Sequence, residues 1–188
     1  MSEVIDFQSN AVARLRARVA ALDEANADLL AYARGHTGAV AQIHIAALAA
    51  IDAEGLDHLI HVVTQDWVDI LSVDAVALAL ATKDQALRAG SQGLQLMSVG
   101  AMDSLMAGGP DVTLRAVDRG ADLFGPAADL IRSEALIRLR LPAPLPIGML
   151  ALGSRAAHNF EGTHGGELLA FLGSIVSRMI ARWLLTPP

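Results

Sequence analysis

The stretch IGMLALGSRAAHNFEGTHGG, residues 147–166, decides the fold. It begins as an apolar run that reaches a Gly-Ser pair, passes through a polar loop, and ends on a double glycine before a long apolar segment. Glycines and polar residues between two periodic segments are typical of a loop. The stretch therefore predicts the closing strand of a sheet followed by the last helix of the domain.

Two features of this stretch raise the question of catalysis. A hydrolase nucleophile elbow reads Gly-x-Ser-x-Gly at a strand-to-helix turn, whereas Ser154 stands in Leu-Gly-Ser-Arg-Ala with no helix directly behind it. His164 and the double glycine are similar to an oxyanion loop, but such loops precede the nucleophile in that fold. We therefore expect Ser154 to hydrogen-bond the backbone at a strand end, His164 to lie at the flexible start of the last helix, and the chain not to be an enzyme.

The composition excludes several other functions. The 188 residues are 53% hydrophobic with a net charge of −6, which disfavours a nucleic-acid surface because phosphates are bound by clustered Lys and Arg. The chain has no cysteine, so disulfides and thiolate chemistry are excluded. Charges interrupt the apolar runs before the roughly 18 residues that a membrane span needs, and no signal peptide is visible. We expect a cytoplasmic protein that uses its apolar residues in a core or a subunit interface.

Alternation of side chains predicts a sheet upstream of the closing strand. In SVDAVALALAT, residues 72–82, large residues alternate with alanines, which is typical of a strand with one bulky and one small face. Residues 94–99, 112–117, 135–141 and 147–154 read as further strands, the last two forming a hairpin around a proline-rich turn. With helices before, between and after these strands, the pattern predicts an α+β fold with an antiparallel sheet.

The N-terminal segment carries apolar residues at spacings of three and four. This seam is typical of a coiled coil, and a lone Asn at an a position favours a parallel, in-register pair of helices. The alternative is an amphipathic helix packed on its own domain. We predict a homodimer, because the other helix face is too polar to bury, and we expect Ile43, Ala47 and Ala50 to continue the seam. The seam residues are Val12, Leu15, Val19, Leu22, Asn26, Leu29 and Ala33.

Two more helices follow from the 3.6-residue period. One helix begins near Leu56 and extends toward Ile70. The other starts near Thr163, a suitable N-cap. Its predicted buried stripe is Leu168, Leu172, Ile175, Met179 and Trp183.

Three stretches together resemble a known family. They are VARLRARVAALDEANADLLAYAR (12–34), LDHLIHVVTQDWVDILSVDAVALAL (56–80) and PIGMLALGSRAAHNFEGTHGGELLAFLGSIVSRMIARWL (146–184). The order of elements and the Gly-x-Leu-x-Leu-Gly-Ser strand resemble a GAF domain, and together with the N-terminal helix they resemble the bacterial family DUF484. The resemblance implies a GAF-like domain over residues 39–188, with five to six antiparallel strands flanked by N- and C-terminal helices, after a coiled-coil helix over residues 1–38. It also implies a regulatory or sensor module.

In GAF domains a ligand pocket lies on the sheet face away from the terminal helices. Methionines lining such a face suit a tolerant site, and strand arginines facing it would bind an anionic small molecule. Alternatively, the same residues close a second core, and the chain is a dimeric scaffold for a protein partner. We expect no metal at His58 and His61, because a zinc pair more typically lies four residues apart and has a third ligand. We expect no bound cofactor, because the chain has neither the bilin-attaching cysteine nor the cyclic-nucleotide signature of GAF relatives. The candidate pocket residues are Met97, Met102, Leu105, Met106, Phe124, Arg115, Arg138 and Arg140.

Overall fold

The computed structural model describes residues 18–19, 22–23, 38–82, 85–106, 109–145, 147–160 and 165–185, without the side chains of 103 and 106. The chain divides into two compact units, Met1–Ala41 and Gln42–Pro188. Within the first unit, Val19 and Leu22 of the predicted seam are helical and expose 56% and 63% of their surface. The other seam residues, Val12, Leu15, Asn26, Leu29 and Ala33, lie outside the described residues.

The strands of the second unit are β1 (Ala75–Ala81), β2 (Ala86–Gly90), β3 (Gly93–Met97), β4 (Val112–Ala116), β5 (Ser133–Leu139) and β6 (Ile147–Ser154). In the described part of the chain they form one six-stranded sheet in the order β3-β2-β1-β6-β5-β4, and every neighbouring pair is antiparallel. The α+β prediction and the predicted β5–β6 hairpin are confirmed. Strand β2, which pairs with β1 and β3, was not predicted from the sequence.

The helices are α1 (Gly38–Ile51), α2 (Leu56–His61), α3 (Trp67–Ile70), α4 (Val99–Met106) and α5 (Gly166–Leu185). A π-helical turn, Val62–Asp66, joins α2 to α3, and a 3-10 segment, Asp122–Leu130, precedes β5. The apolar period from Leu56 to Ile70 thus predicts one helical stretch correctly but does not reveal the turn within it.

The main core lies between the sheet and the helices α1, α2, α3 and α5. Leu78, Ile137 and Leu150 cover this face of the sheet and are buried in this core. The buried Trp67 indole donates a hydrogen bond of 3.0 Å from Nε1 to the carbonyl of Ala46, which ties the chain at α3 to α1. We call this side of the sheet the helix face.

Two predictions about the helices need correction. Ile43, Ala47 and Ala50 do not continue an exposed seam, because they are buried in the core of their own unit. The exposed large residues of α1 are instead Ile45, Leu48 and Ile51.

The buried stripe of α5 is also rotated from the predicted one. Leu172 and Met179 are buried as predicted, whereas Leu168, Ile175 and Trp183 are only partly buried and flank the contact. A helix packed at an angle across a twisted sheet buries the side chains that meet the strands. Apolar residues occur on several sides of α5, so the sequence alone does not show which of them form the buried stripe. The residues of α5 that are fully buried are Leu172, Val176 and Ile180.

Helix α5 is also long and apolar enough to cross a membrane by length and composition. It is the one such helix among the described residues. Leu172, Val176 and Ile180 are fully buried against the sheet, so its apolar character is that of a core helix.

Candidate functional site

The sheet face opposite α5, which we call the far face, is built on small side chains. Ala77 and Ala79 of β1 and Ala151 of β6 form its floor, as the alternation in the sequence predicts. Helix α4 and the 3-10 segment lie over this floor and form a second core there. Alanines in the sheet allow these segments to approach closely.

The predicted apolar pocket residues meet on this face. Met102 and Phe124 are buried, and Met97 and Leu105 are partly buried against the same cluster. The side chain of Met106 lies outside the described residues. Side chains from β3, α4 and the 3-10 segment thus belong to one apolar cluster.

The far-face core leaves little free space where it is described. Leu123 and Phe124 of the 3-10 segment line a cavity of about 10 Å³ together with Ala77 and the β2–β3 turn. A water molecule needs a space of about this size. This cavity is therefore too small for a metabolite.

The predicted arginines are divided between different environments. Arg115 pairs with Glu134, its Nη2 donating to Oε1 over 2.6 Å, and Arg140 pairs with Asp111. Arg138 and Arg140 line a cleft of about 240 Å³ that Ser174, Ser177 and Arg178 of α5 also line. The structure therefore does not bring all the predicted pocket residues into one site.

Glu134 connects the 3-10 segment to the sheet. Its side chain is fully buried, and besides Arg115 it accepts a hydrogen bond of 2.7 Å from the backbone N–H of Ala121. Arg119 donates to Asp122 and to Asp129, near the two ends of the segment. These hydrogen bonds, first that to Asp122 and then that to Asp129, raise the pKa of Arg119 above its ordinary value. The hydrogen bond to Glu134 thus holds the start of the segment to the sheet, and those of Arg119 connect its two ends.

Arg88 of β2 is a far-face residue that was not predicted from the sequence. Its guanidinium donates to the carbonyl of Leu123 over 3.3 Å and to the side chain of Gln95. Gly125 lies directly against this guanidinium, where a Cβ would find no space, and has a φ of 57°. The alternation Leu-Arg-Ala in residues 87–89 was the available signal, but β2 had not been identified as a strand.

Ser154 has a structural role at the end of β6. Its hydroxyl donates to Asp74 over 3.2 Å and accepts hydrogen bonds from Asn159 and from the backbone N–H of Ala156. Within the described ranges no histidine hydrogen-bonds to it. The preceding Gly153 is required by packing, since a Cβ there would lie 2.7 Å from Ile131. The catalytic alternative gains no support, and His164 lies outside the described residues.

The helical histidines also have ordinary partners. His58 Nδ1 accepts a hydrogen bond of 3.2 Å from the backbone N–H of Glu54, and His61 lies 3.7 Å from Asp66. No cluster of three or more His, Asp or Glu side chains suited to a metal occurs in the part of the chain that is described.

The fold is similar to those of several solved structures. The GAF domain of a phosphoenolpyruvate-protein phosphotransferase from Coxiella burnetii has a TM-score of 0.58 at 13% identity, over 78% of this chain and 94% of that one. The corresponding GAF domain from Acinetobacter has a TM-score of 0.55 at 12% identity, over 78% and 95%. Free methionine-R-sulfoxide reductase from Neisseria meningitidis, solved in complex with its substrate, has a TM-score of 0.52 at 17% identity, over 74% and 87%.

At such low identity these similarities establish a GAF-like fold and no more, because a shared fold does not imply a shared function. A comparison with curated proteins gives no match. The sequence pattern of the family described as "Protein of unknown function, DUF484" matches residues 1–185. Because this match spans nearly the whole chain, the protein belongs to the DUF484 family.

Proposed function

We propose that this protein is a cytoplasmic regulatory module that forms a homodimer through its N-terminal helix. The observation that carries the proposal is the exposure of apolar side chains on its N-terminal helical segments: Val19 and Leu22 in the seam, and Leu48 on α1. Exposed apolar side chains at regular helical spacing favour a second helix as their partner. The GAF-like fold of the second unit is consistent with a regulatory role.

The dimer can be tested at two positions of the seam. Leu22→Lys places a charge in the contact and should weaken dimerisation by tenfold or more, measured by analytical ultracentrifugation. Asn26→Leu should make the dimer more stable but allow other helix registers or oligomeric states. The reason is that a facing pair of Asn side chains at an a position specifies register and oligomeric state at a cost in stability.

A suitable control is Leu96→Lys, which adds the same charge at an exposed leucine of the sheet. It should leave the dimer intact. A wild-type chain that sediments as a monomer at micromolar concentration would remove the proposed interface.

We further propose that the module senses a small molecule on the far face, beside Met97, Met102, Leu105, Met106 and Phe124. Because the described core there is closely packed, the ligand has to part α4 from the sheet. Such a ligand shifts the equilibrium between the two packing states only by the difference in its affinity for them.

A thermal-shift screen against metabolites and nucleotides tests this part. A ligand at one hundred times its Kd stabilises the folded state by about 2.7 kcal/mol. Met102→Ala should change the response to a genuine far-face ligand, whereas Leu96→Lys should not.

The second candidate function is a dimeric scaffold that binds a protein partner without a small ligand. The close packing of Met102, Leu123 and Phe124 favours it. A wild-type dimer that no compound in the screen stabilises would support the scaffold over the sensor.

The similarity to a methionine sulfoxide reductase suggests a third activity, which the sequence disfavours. Reduction of a sulfoxide requires two electrons, and a chain without cysteine has no thiol to supply them. We therefore propose a non-enzymatic role.

A further inference from the structure

An open apolar groove lies on the helix face of the sheet, at its β2–β3 edge. Its volume is about 490 Å³, within the range of small-molecule sites. We call it the leucine groove. Its main lining residues are Leu56, Ile60, Leu80, Leu87, Leu94 and Leu184.

The register of the strands creates this groove. Leu80 pairs with Leu87, and Ala89 pairs with Leu94, so their side chains share the helix face. The described helices leave the outer strands partly uncovered, and Leu94 remains 60% exposed. Small Ala89 gives the groove its depth, because larger neighbours stand on either side of it.

A second cavity of about 410 Å³ adjoins the groove and shares Asp57, Ile60, Ala89 and Leu94 with it. Its other end is polar. There Gln65 donates a hydrogen bond of 3.2 Å to the carbonyl of Gly90. The two cavities together offer an apolar channel that becomes polar toward the π-helical turn.

The charge at the junction selects the ligand. Asp57 lines both cavities, and apart from His61 it is the one ionisable side chain among their described lining residues. Asp57 makes no side-chain hydrogen bond or ion pair with any other described residue. Its carboxylate repels an anionic head group and attracts a cationic one.

We propose that the leucine groove binds a monomeric amphiphile that has one saturated alkyl chain and an ammonium head group. The chain lies along the leucines, where its burial supplies most of the affinity. The ammonium group lies at Asp57. This site is on the opposite side of the sheet from the far-face core and is independent of the function proposed above.

Calorimetric titration of the full chain with decylamine, decanol and decanoate, each below its micellar concentration, tests the proposal. Decylamine should bind one molecule per chain, more tightly than decanol, and decanoate most weakly. Octylamine should bind about fifteenfold more weakly than decylamine, from the contribution of two methylene groups. Asp57→Asn should reduce the advantage of the amine over the alcohol by about two- to fivefold, the range for an exposed charge pair.

Leu94→Gln and Leu96→Gln form a matched pair of variants. Both leucines are exposed on β3 and share one face, but Leu94 lines both cavities and Leu96 lines neither. Decylamine affinity should fall at least fivefold in Leu94→Gln and stay unchanged in Leu96→Gln, with equal urea stability in both.

Three results would overturn the proposal: no saturable binding of decylamine, equal loss of affinity in the two variants, or tighter binding of decanoate than of decylamine. Light scattering identifies a different occupant. If Leu94→Gln converts a self-associated wild-type protein to a smaller species, a second copy fills the groove and the amphiphile does not.

Discussion

At the scale of single residues, the two members of the Arg115–Glu134 ion pair differ in burial. Glu134 is fully buried, while its partner Arg115 remains 50% exposed. Losing the arginine leaves a carboxylate in the core without its counter-charge, whereas losing the carboxylate charge leaves an arginine that water solvates. The two halves of this ion pair therefore differ in their importance for stability.

Arg115→Met should consequently destabilise the protein more than Glu134→Gln. We expect a loss of about 3 kcal/mol for Arg115→Met, as for other buried charges left unpaired, and about 1–2 kcal/mol for Glu134→Gln, which disturbs the hydrogen bond from the N–H of Ala121. Urea unfolding at pH 7 measures both. A larger loss for Glu134→Gln would contradict the assigned asymmetry.

At the scale of the element, the contact of α5 with the sheet depends on a glycine. A Cβ on Gly173 would lie 2.5 Å from Cγ2 of the buried Ile137. The β-branched side chain of Ile137 has little freedom to rotate away. The helix is therefore held at a distance from β5 that a larger residue does not allow.

Gly173→Ala combines two opposing effects. Alanine favours the helix by about 1 kcal/mol, whereas overpacking a close-packed core costs about 1–3 kcal/mol. We expect a net loss of about 1 kcal/mol, measured by thermal or urea unfolding. In the control, Gly100→Ala in α4, the added Cβ meets nothing within 4 Å, so that variant should be neutral or stabilised; similar behaviour of the two variants would argue against close packing at Gly173.

At the scale of the whole molecule, the two units have different requirements. Gln42–Pro188 contains a core on each face of its sheet. A core of that extent is sufficient for a domain to fold alone. Val19 and Leu22 of the predicted seam, in contrast, are exposed, and the proposed dimer would cover them.

A chain that begins at Gly38 should therefore remain folded but lose the dimer. Its thermal unfolding should stay cooperative, and its mass in light scattering should be that of a monomer. A shortened chain that still dimerises would assign the interface to the second unit, and the exposed face of α1 would be the first region to test. An unfolded shortened chain would show that the second unit depends on the first.

The sequence by itself determined the class of fold and most of its elements. Alternating large and small residues predict β1, because a period of two places each set on one face of a sheet. The apolar run that ends in Gly-Ser predicts β6. Residue spacing likewise identified α1, the helical stretch after it, and α5. The small side chains of the far face followed from the same pattern, whereas a ligand pocket at Met97, Met102, Leu105 and Phe124 stays a prediction from the family resemblance.

Only the tertiary structure decided which faces are filled and which are open. β2 escaped detection because Arg88 interrupts its short apolar pattern, and the partners of Arg88 come from distant segments. The buried side of α5, the burial of Ile43 in its own core and the pairing of Arg115 with Glu134 likewise depend on neighbours remote in sequence. Local patterns indicate which residues prefer burial. The chain has more apolar surface than its close-packed cores can bury, so tertiary packing decides which of these residues are buried. The leucine groove is apolar surface that this packing leaves uncovered.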